Sequence, residues 1–175
     1  PHLTFERVYE EVLTLWTLHD YSMLTVLEQE FGTDLAVSLY TKVWELRTKL
    51  EWPSLCATIG KKPTDKFTID DIANIMINSY AAFGNPMRIE EQTEDRITLR
   101  VYDCPPTTQV LWSRLSLEDA LALYRKKEVA LNHTIFETYL KLAGLYDDWT
   151  FNFPCQLCKT NQYCEFTFVR NRFPK

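Results

Sequence analysis

The sequence predicts an α+β fold: a single domain of helices packed on one antiparallel sheet, ending in a cysteine-bearing hairpin. Three observations carry that expectation. Residues 1–84 repeat apolar side chains at spacings of three and four, the period of a helix. After Pro86 the apolar residues alternate with polar ones, as in strands with one wet face. The resulting order is helices, hairpin, helix, hairpin, which suits one antiparallel sheet with helices against it.

Taken in order, Phe5 to Phe31 reads as a first helix, with Val8, Val12, Leu15, Trp16 and His19 on its stripe and Gly32 at its end. Thr33 or Asp34 can cap a second helix, whose face holds Leu35, Leu39, Val43, Leu46 and Leu50. Pro53 is expected to stop it. Gly60 to Phe67 is polar and reads as a surface loop. Thr68 caps a third helix, with Asp70 and Asp71 in the first turn, where the helix dipole favours acids. Ile72, Ile75, Met76 and Tyr80 form its buried side, and Gly84 ends it.

Residues 85–175 supply the rest. Met87 to Gln92 and Arg96 to Tyr102 read as strands around Thr93-Glu94-Asp95. Ser116 starts helical sequence that runs to Ala143, with a break expected near Leu131-Asn132. Trp149 to Phe153 and Glu165 to Val169 are two further strands.

Composition narrows the function. The chain has 175 residues, 46% of them hydrophobic, with four glycines and a formal net charge of -5. That is one domain with enough material for a core, not a repeat array or a disordered chain. No basic stripe is present, so no nucleic-acid footprint is expected. No apolar run reaches the ~18 residues a membrane span needs.

The five cysteines are more telling. Cys155, Cys158 and Cys164 lie within ten residues, while Cys56 and Cys104 stand apart. A core of this size needs no disulfide staples, and no signal-peptide pattern is seen. The cluster therefore reads as metal binding or redox chemistry in a reducing, cytoplasmic location, with metal binding favoured because the C-x-x-C pair enters a hairpin and not a βα junction. Three thiolates on one hairpin suit zinc, whose closed tetrahedral site needs a fourth ligand. His133, on the helix before the hairpin, is one candidate, and Cys104 is the alternative.

The motif Cys155-x2-Cys158-x5-Cys164-Glu165-Phe166 resembles the end of the 4-vinyl reductase-like domain, which also forms the aromatic-sensing part of some bacterial activators. In the sensor members a Glu, two Cys and an upstream Cys bind zinc. By that resemblance Cys158 and Cys164 take the two downstream cysteine positions. Cys155 stands where the sensors have Glu, and His133 about where the upstream Cys falls. The loop between Cys158 and Cys164 is shorter than the family's, with Asn161 in place of Gly.

Further upstream, Trp16-x2-His19-Asp20, Glu28-x-Glu30-Phe31-Gly32 and Val43-Trp44 resemble an uncharacterised bacterial and archaeal family placed near L-2-amino-thiazoline-4-carboxylate hydrolases. Both resemblances imply the ligand-binding α+β domain also found in vesicle-trafficking subunits, commonly a homodimer. Apolar positions from Leu3 to Phe31 exceed one narrow stripe, which also points to a homodimer through the N-terminal helices.

Two functions from different classes follow. The first is a zinc-stapled small-molecule-binding domain, with Trp16, His19, Tyr21, Trp112 and Phe136 as candidate pocket residues. The second is a small hydrolase-like enzyme acting on a carboxylated or thiazoline-like compound, with His19 and Asp20 as a base and Cys104 as a nucleophile. A third reading is a protein-interaction subunit, which an exposed amphipathic first helix would favour.

Overall fold

The computed structural model describes residues 4–104, 110, 116–156 and 162–172, with backbone alone at 117 and 119–126. Its elements are α1 (Phe5–Phe31), α2 (Thr33–Ala57), α3 (Ile69–Ala82), β1 (Met87–Gln92), β2 (Arg96–Val101), α4 (Leu117–Leu142), β3 (Trp149–Cys155) and β4 (Cys164–Arg170). The strands form one antiparallel sheet in the order β1-β2-β4-β3. The fold is α+β, as the alternating periods implied.

The sheet turns one apolar face to the helices by alternation, although Thr98 and Thr167, between the apolar positions, are buried as well. Ile97, Leu99 and Val101 of β2 pair with Phe168, Phe166 and Cys164 of β4, and Phe151 of β3 pairs with Phe168. All of these are at most 6% exposed. Over them lies Phe136 of α4, 1% exposed, with ring centroids 4.9 Å from Phe151 and 5.5 Å from Phe166. Tyr80 of α3 and Tyr139 of α4 complete this aromatic layer at 6.2 and 5.6 Å from Phe136. Edge-to-face and offset contacts of this kind suit the ring quadrupoles. Burial pushes both phenols well above their ordinary pKa, so they stay neutral and act only as polar tips on an apolar wall.

Local signals explain most helix ends. Thr4 caps α1, its hydroxyl accepting from Arg7 N at 3.3 Å. Gly32 takes φ 77°, a conformation costly for any residue with a Cβ, and joins α1 directly to α2. Neither Thr33 nor Asp34 caps α2. Gly32 is its N-cap, and the Thr33 hydroxyl donates back to Glu28 at 2.6 Å. At α3, Thr68 and Asp71 form a reciprocal capping box. The Asp71 carboxyl sits below its ordinary range: burial pushes it up, but bonds from Lys61 and Thr68 outweigh that.

Two expectations are corrected. Pro53 does not stop α2, which continues to Ala57. Proline removes one helical hydrogen bond, but Trp52 and Cys56 on either side are 3% and 0% exposed in the main core. Their burial holds the last turn. α4 also shows no break at Leu131-Asn132. The Asn132 amide donates to Glu128 O at 2.9 Å, a bond along the helix rather than out of it.

A smaller cluster, with Leu24, Ala36 and Tyr40 at its centre, joins α1 and α2, and Leu131 of α4 packs against it. Beside it, Lys127 of α4 reaches Asp20 of α1 at 2.9 Å and the Tyr40 hydroxyl of α2 at 3.0 Å. Tyr40 in turn donates to Asp20 at 2.5 Å. Side-chain exposure is 5% for Lys127 and 14% for Asp20, so this is a buried ion pair tying three helices.

Two stability outcomes follow. Phe136→Ala opens the centre of the aromatic layer and should cost about 3–5 kcal/mol by chemical denaturation. Asp20→Asn removes the carboxylate that answers the Lys127 charge and should cost about 3–5 kcal/mol, whereas the paired change Asp20→Leu with Lys127→Met should recover most of the loss. A double variant no more stable than Asp20→Asn would show that the charge is not what the site depends on.

Candidate functional site: a cavity between the helices and the sheet

The helices do not close completely over the sheet. They leave a cavity of about 160 Å³ bounded by α1, α2, α3 and α4, with the β2 and β4 side chains as its floor. Its apolar wall includes Trp16, Trp44, Phe83, Ile135, Phe136 and Phe166. Trp16 stacks on Phe83 at 5.0 Å and meets Trp44 edge-on at 5.8 Å. These three rings come from α1, the end of α3 and α2, so the α1–α2 hairpin forms one side of the cavity.

Both described cations in the wall are answered within it. The Arg47 guanidinium lies 4.4 Å from the Trp44 ring centroid and pairs with Glu51 one turn on, at 2.6 Å. Deeper in, Lys127 pairs with Asp20 as described above, and both line the cavity. Two wall residues, Thr17 and Asn85, are 3% and 7% exposed. Among the described residues, Thr17 Oγ1 and Asn85 Oδ1 have no hydrogen-bond partner. A buried orphan oxygen costs roughly 1–3 kcal/mol, so each is a place where a new donor gains most. The Asn85 amide nitrogen is committed to Cys104 Sγ at 3.8 Å.

The sequence-predicted residues separate. Trp16 and Phe136 stand in the wall, and so does Cys104. His19 does not: it is exposed on α1, while its neighbour Asp20 points inward, the ~100° turn between adjacent helical residues at work. The hydrolase assignment needs His19 and Cys104 together, and of the two the cavity wall contains Cys104 alone. Tyr21 packs in the α1–α2 cluster instead. Trp112 lies outside the described residues. Sequence reading missed Trp44, Arg47, Glu51, Asn85 and Lys127. An available signal was the i, i+4 Arg47-Glu51 pair beside Trp44 on α2; Lys127 gave none, because its partners are 87 and 107 positions away.

The described cysteines do not converge on one point. Cys155 pairs with Glu165 across β3 and β4, which puts it on the Glu165 face of the sheet. Cys164, one residue along, points to the opposite, buried face and into the cavity wall. The Cys155 thiol donates to Tyr163 O at 3.4 Å. His133 sets its Nδ1 3.4 Å from Glu137 and its ring edge-on to Phe151 at 5.1 Å. Cys158 lies outside the described residues. Among the described residues, no group of three or more His, Cys, Asp and Glu side chains could hold a metal ion.

Comparison with known proteins bears on the same point. No family model matches the chain, and no curated protein does. A solved structure does: subunit 3 of the trafficking protein particle complex from Naegleria fowleri, covalently bound to palmitic acid. The TM-score is 0.59 at 9% identity, over 95% of this chain and 99% of that one. The likeness is one of fold. Together with the dispersed thiols, it corrects the expectation of a zinc-binding, metal-binding domain of the 4-vinyl reductase-like type.

Proposed function

We propose that this chain is a small-molecule-binding domain whose guest lies between the α1–α2 hairpin and the sheet. The carrying observation is the cavity of about 160 Å³, walled by aromatic rings and containing internally paired charges. Binding sites are typically concave and mostly apolar, with a few placed polar groups. Thr17 and Asn85 supply such groups. The structural neighbour's covalently bound palmitic acid supports the idea that a fold of this shape can carry an apolar guest. Size sets the class here. A cavity of about 150 Å³ holds a benzene-sized guest, so the expected body is a single small ring and not a long acyl chain. Cytoplasmic residence remains part of this reading, on the strength of five thiols in a chain whose core needs no staples.

The test uses indole as a ring probe and 1-octanol as a chain probe, read by ligand-observed NMR and thermal melting. Indole at ten times its dissociation constant should raise the Tm by about 3–6 °C. Leu131→Trp, which fills the cavity from α4, should abolish the shift while leaving the fold intact by circular dichroism. Absence of any NMR contact or Tm shift for either probe at millimolar concentration would sink the reading.

A second reading has its own observation. Phe5, Val12 and Leu15 on α1, and Leu46 and Leu50 on α2, are between 59% and 85% exposed. On α1 they fall at spacings of seven and three, and on α2 at a spacing of four, so each helix shows them on one face. Exposed apolar residues in contiguous rows mark interfaces. We infer a homodimer through these two helices. No helix among the described residues is long and apolar enough to cross a membrane, so the stripe is not a span. Sedimentation at micromolar concentration should give a dimer, and Leu15→Glu with Leu46→Glu should give a folded monomer. A monomeric wild type would refute it.

A further inference from the structure

Resting on the binding reading above, the next question is the charge of the guest. Among the described residues the cavity wall holds two cations, Arg47 and Lys127. Each is already matched by a wall carboxylate: Arg47 by Glu51 at 2.6 Å, Lys127 by Asp20 at 2.9 Å. Lys127 also meets the Tyr40 hydroxyl at 3.0 Å, and its side chain is 5% exposed. Glu128 adds a third carboxylate to the wall. An entering carboxylate would have to displace Glu51 or Asp20, or else lie beside like charges in a space lined by Trp16, Phe83 and Phe136.

Either course is costly. A carboxylate leaves water only if it gains comparable hydrogen bonds and a countercharge. At Lys127 both places are occupied by groups that are themselves buried. At the mouth the competition is milder, because the side chains of Arg47 and Glu51 are 30% and 44% exposed. A neutral guest faces none of this. Its ring can lie against the aromatic wall without disturbing either ion pair.

We propose that the cavity selects uncharged, ring-sized guests over carboxylates, and that Glu51 is the specificity-determining residue. By occupying Arg47, Glu51 withholds the more exposed of the two wall cations from a guest acid entering at the mouth. The carboxylated compounds first considered for a hydrolase are therefore the disfavoured class. Glu51 acts here through Arg47 and has no role in any reaction step.

Benzamide and benzoate form a matched pair of probes, equal in ring and size and different in charge near neutral pH. Wild-type protein should bind benzamide at least about tenfold more tightly than benzoate by calorimetry or NMR titration. Glu51→Gln keeps the side-chain shape but releases the guanidinium. Benzoate affinity should then rise about three- to tenfold, less than a fully buried charged bond would give, because the site is partly exposed. The benzamide-to-benzoate affinity ratio should fall by about the same factor, since the interaction removed is ionic. Wild type that binds benzoate as tightly as benzamide would overturn the selectivity while leaving the cavity reading intact. A benzamide-to-benzoate ratio unchanged in Glu51→Gln would overturn the assignment to Glu51. Wild type that binds neither probe would overturn the binding reading, and this one with it.

Discussion

A lysine side chain held at 5% exposure is the constraint on which the arrangement of the helices depends. An ammonium buried that deeply must be met by a countercharge and by hydrogen bonds, or it costs more than the fold can supply. Asp20 and Tyr40 meet it from two other helices. The pair fixes how the α1–α2 hairpin lies on α4, where generic apolar packing would tolerate sliding. Trp16 and Thr17 precede Asp20 on α1, and Trp44 follows Tyr40 by one turn on α2. The side chains around the ion pair and the side chains around the cavity are thus placed by the same two helices.

The fold was legible because its signals are local. Helical spacing in α1 and α3, and single alternation in Arg96–Val101 and Cys164–Arg170, each need only a short window of sequence. At Pro53 the reading failed because core packing overruled a local rule. Pro53 looked like a stop, but the burial of Trp52 and Cys56 carried α2 past it. The cavity was only partly legible. Trp16 and Phe136 lie on apolar stripes that any helix reading singles out. Lys127 sits in a run of basic residues that reads as a solvated face, and its partners come from chain segments far away.

The described cysteines meet a different physical constraint. Closeness in sequence was read as closeness in space, and a strand does not honour that inference. Consecutive positions on β4 face opposite sides, so Cys164 enters the core while its neighbour Glu165 pairs with Arg100 on the outer face. Cys155, in register with Glu165, goes with the outer set. A hairpin carries metal thiolates toward one point only when the ligands cluster at its turn or share parity across the ladder. The strands are held by their own aromatic face, with Phe151, Phe153, Phe166 and Phe168 at most 8% exposed.

The α1–α2 hairpin presents two different surfaces, and the difference has a physical consequence. Its inner side carries Trp16, Trp44 and Arg47 toward the cavity; its outer side carries Val12, Leu15, Leu46 and Leu50 into solvent. Apolar side chains left in water gain roughly 25 cal/mol for each Å² that a partner covers. A partner seated on the outer stripe would therefore stabilise the hairpin without touching the cavity wall. The hairpin is held to the remainder of the protein chiefly by the packing of α2 on α4 and by the Lys127 pair. Anything that restrains the hairpin from outside would also hold the aromatic wall in place. A guest seated inside restrains the same two helices from the other side. Because linkage is reciprocal, stabilisation at either surface must be felt at the other to the extent that the hairpin moves as one body.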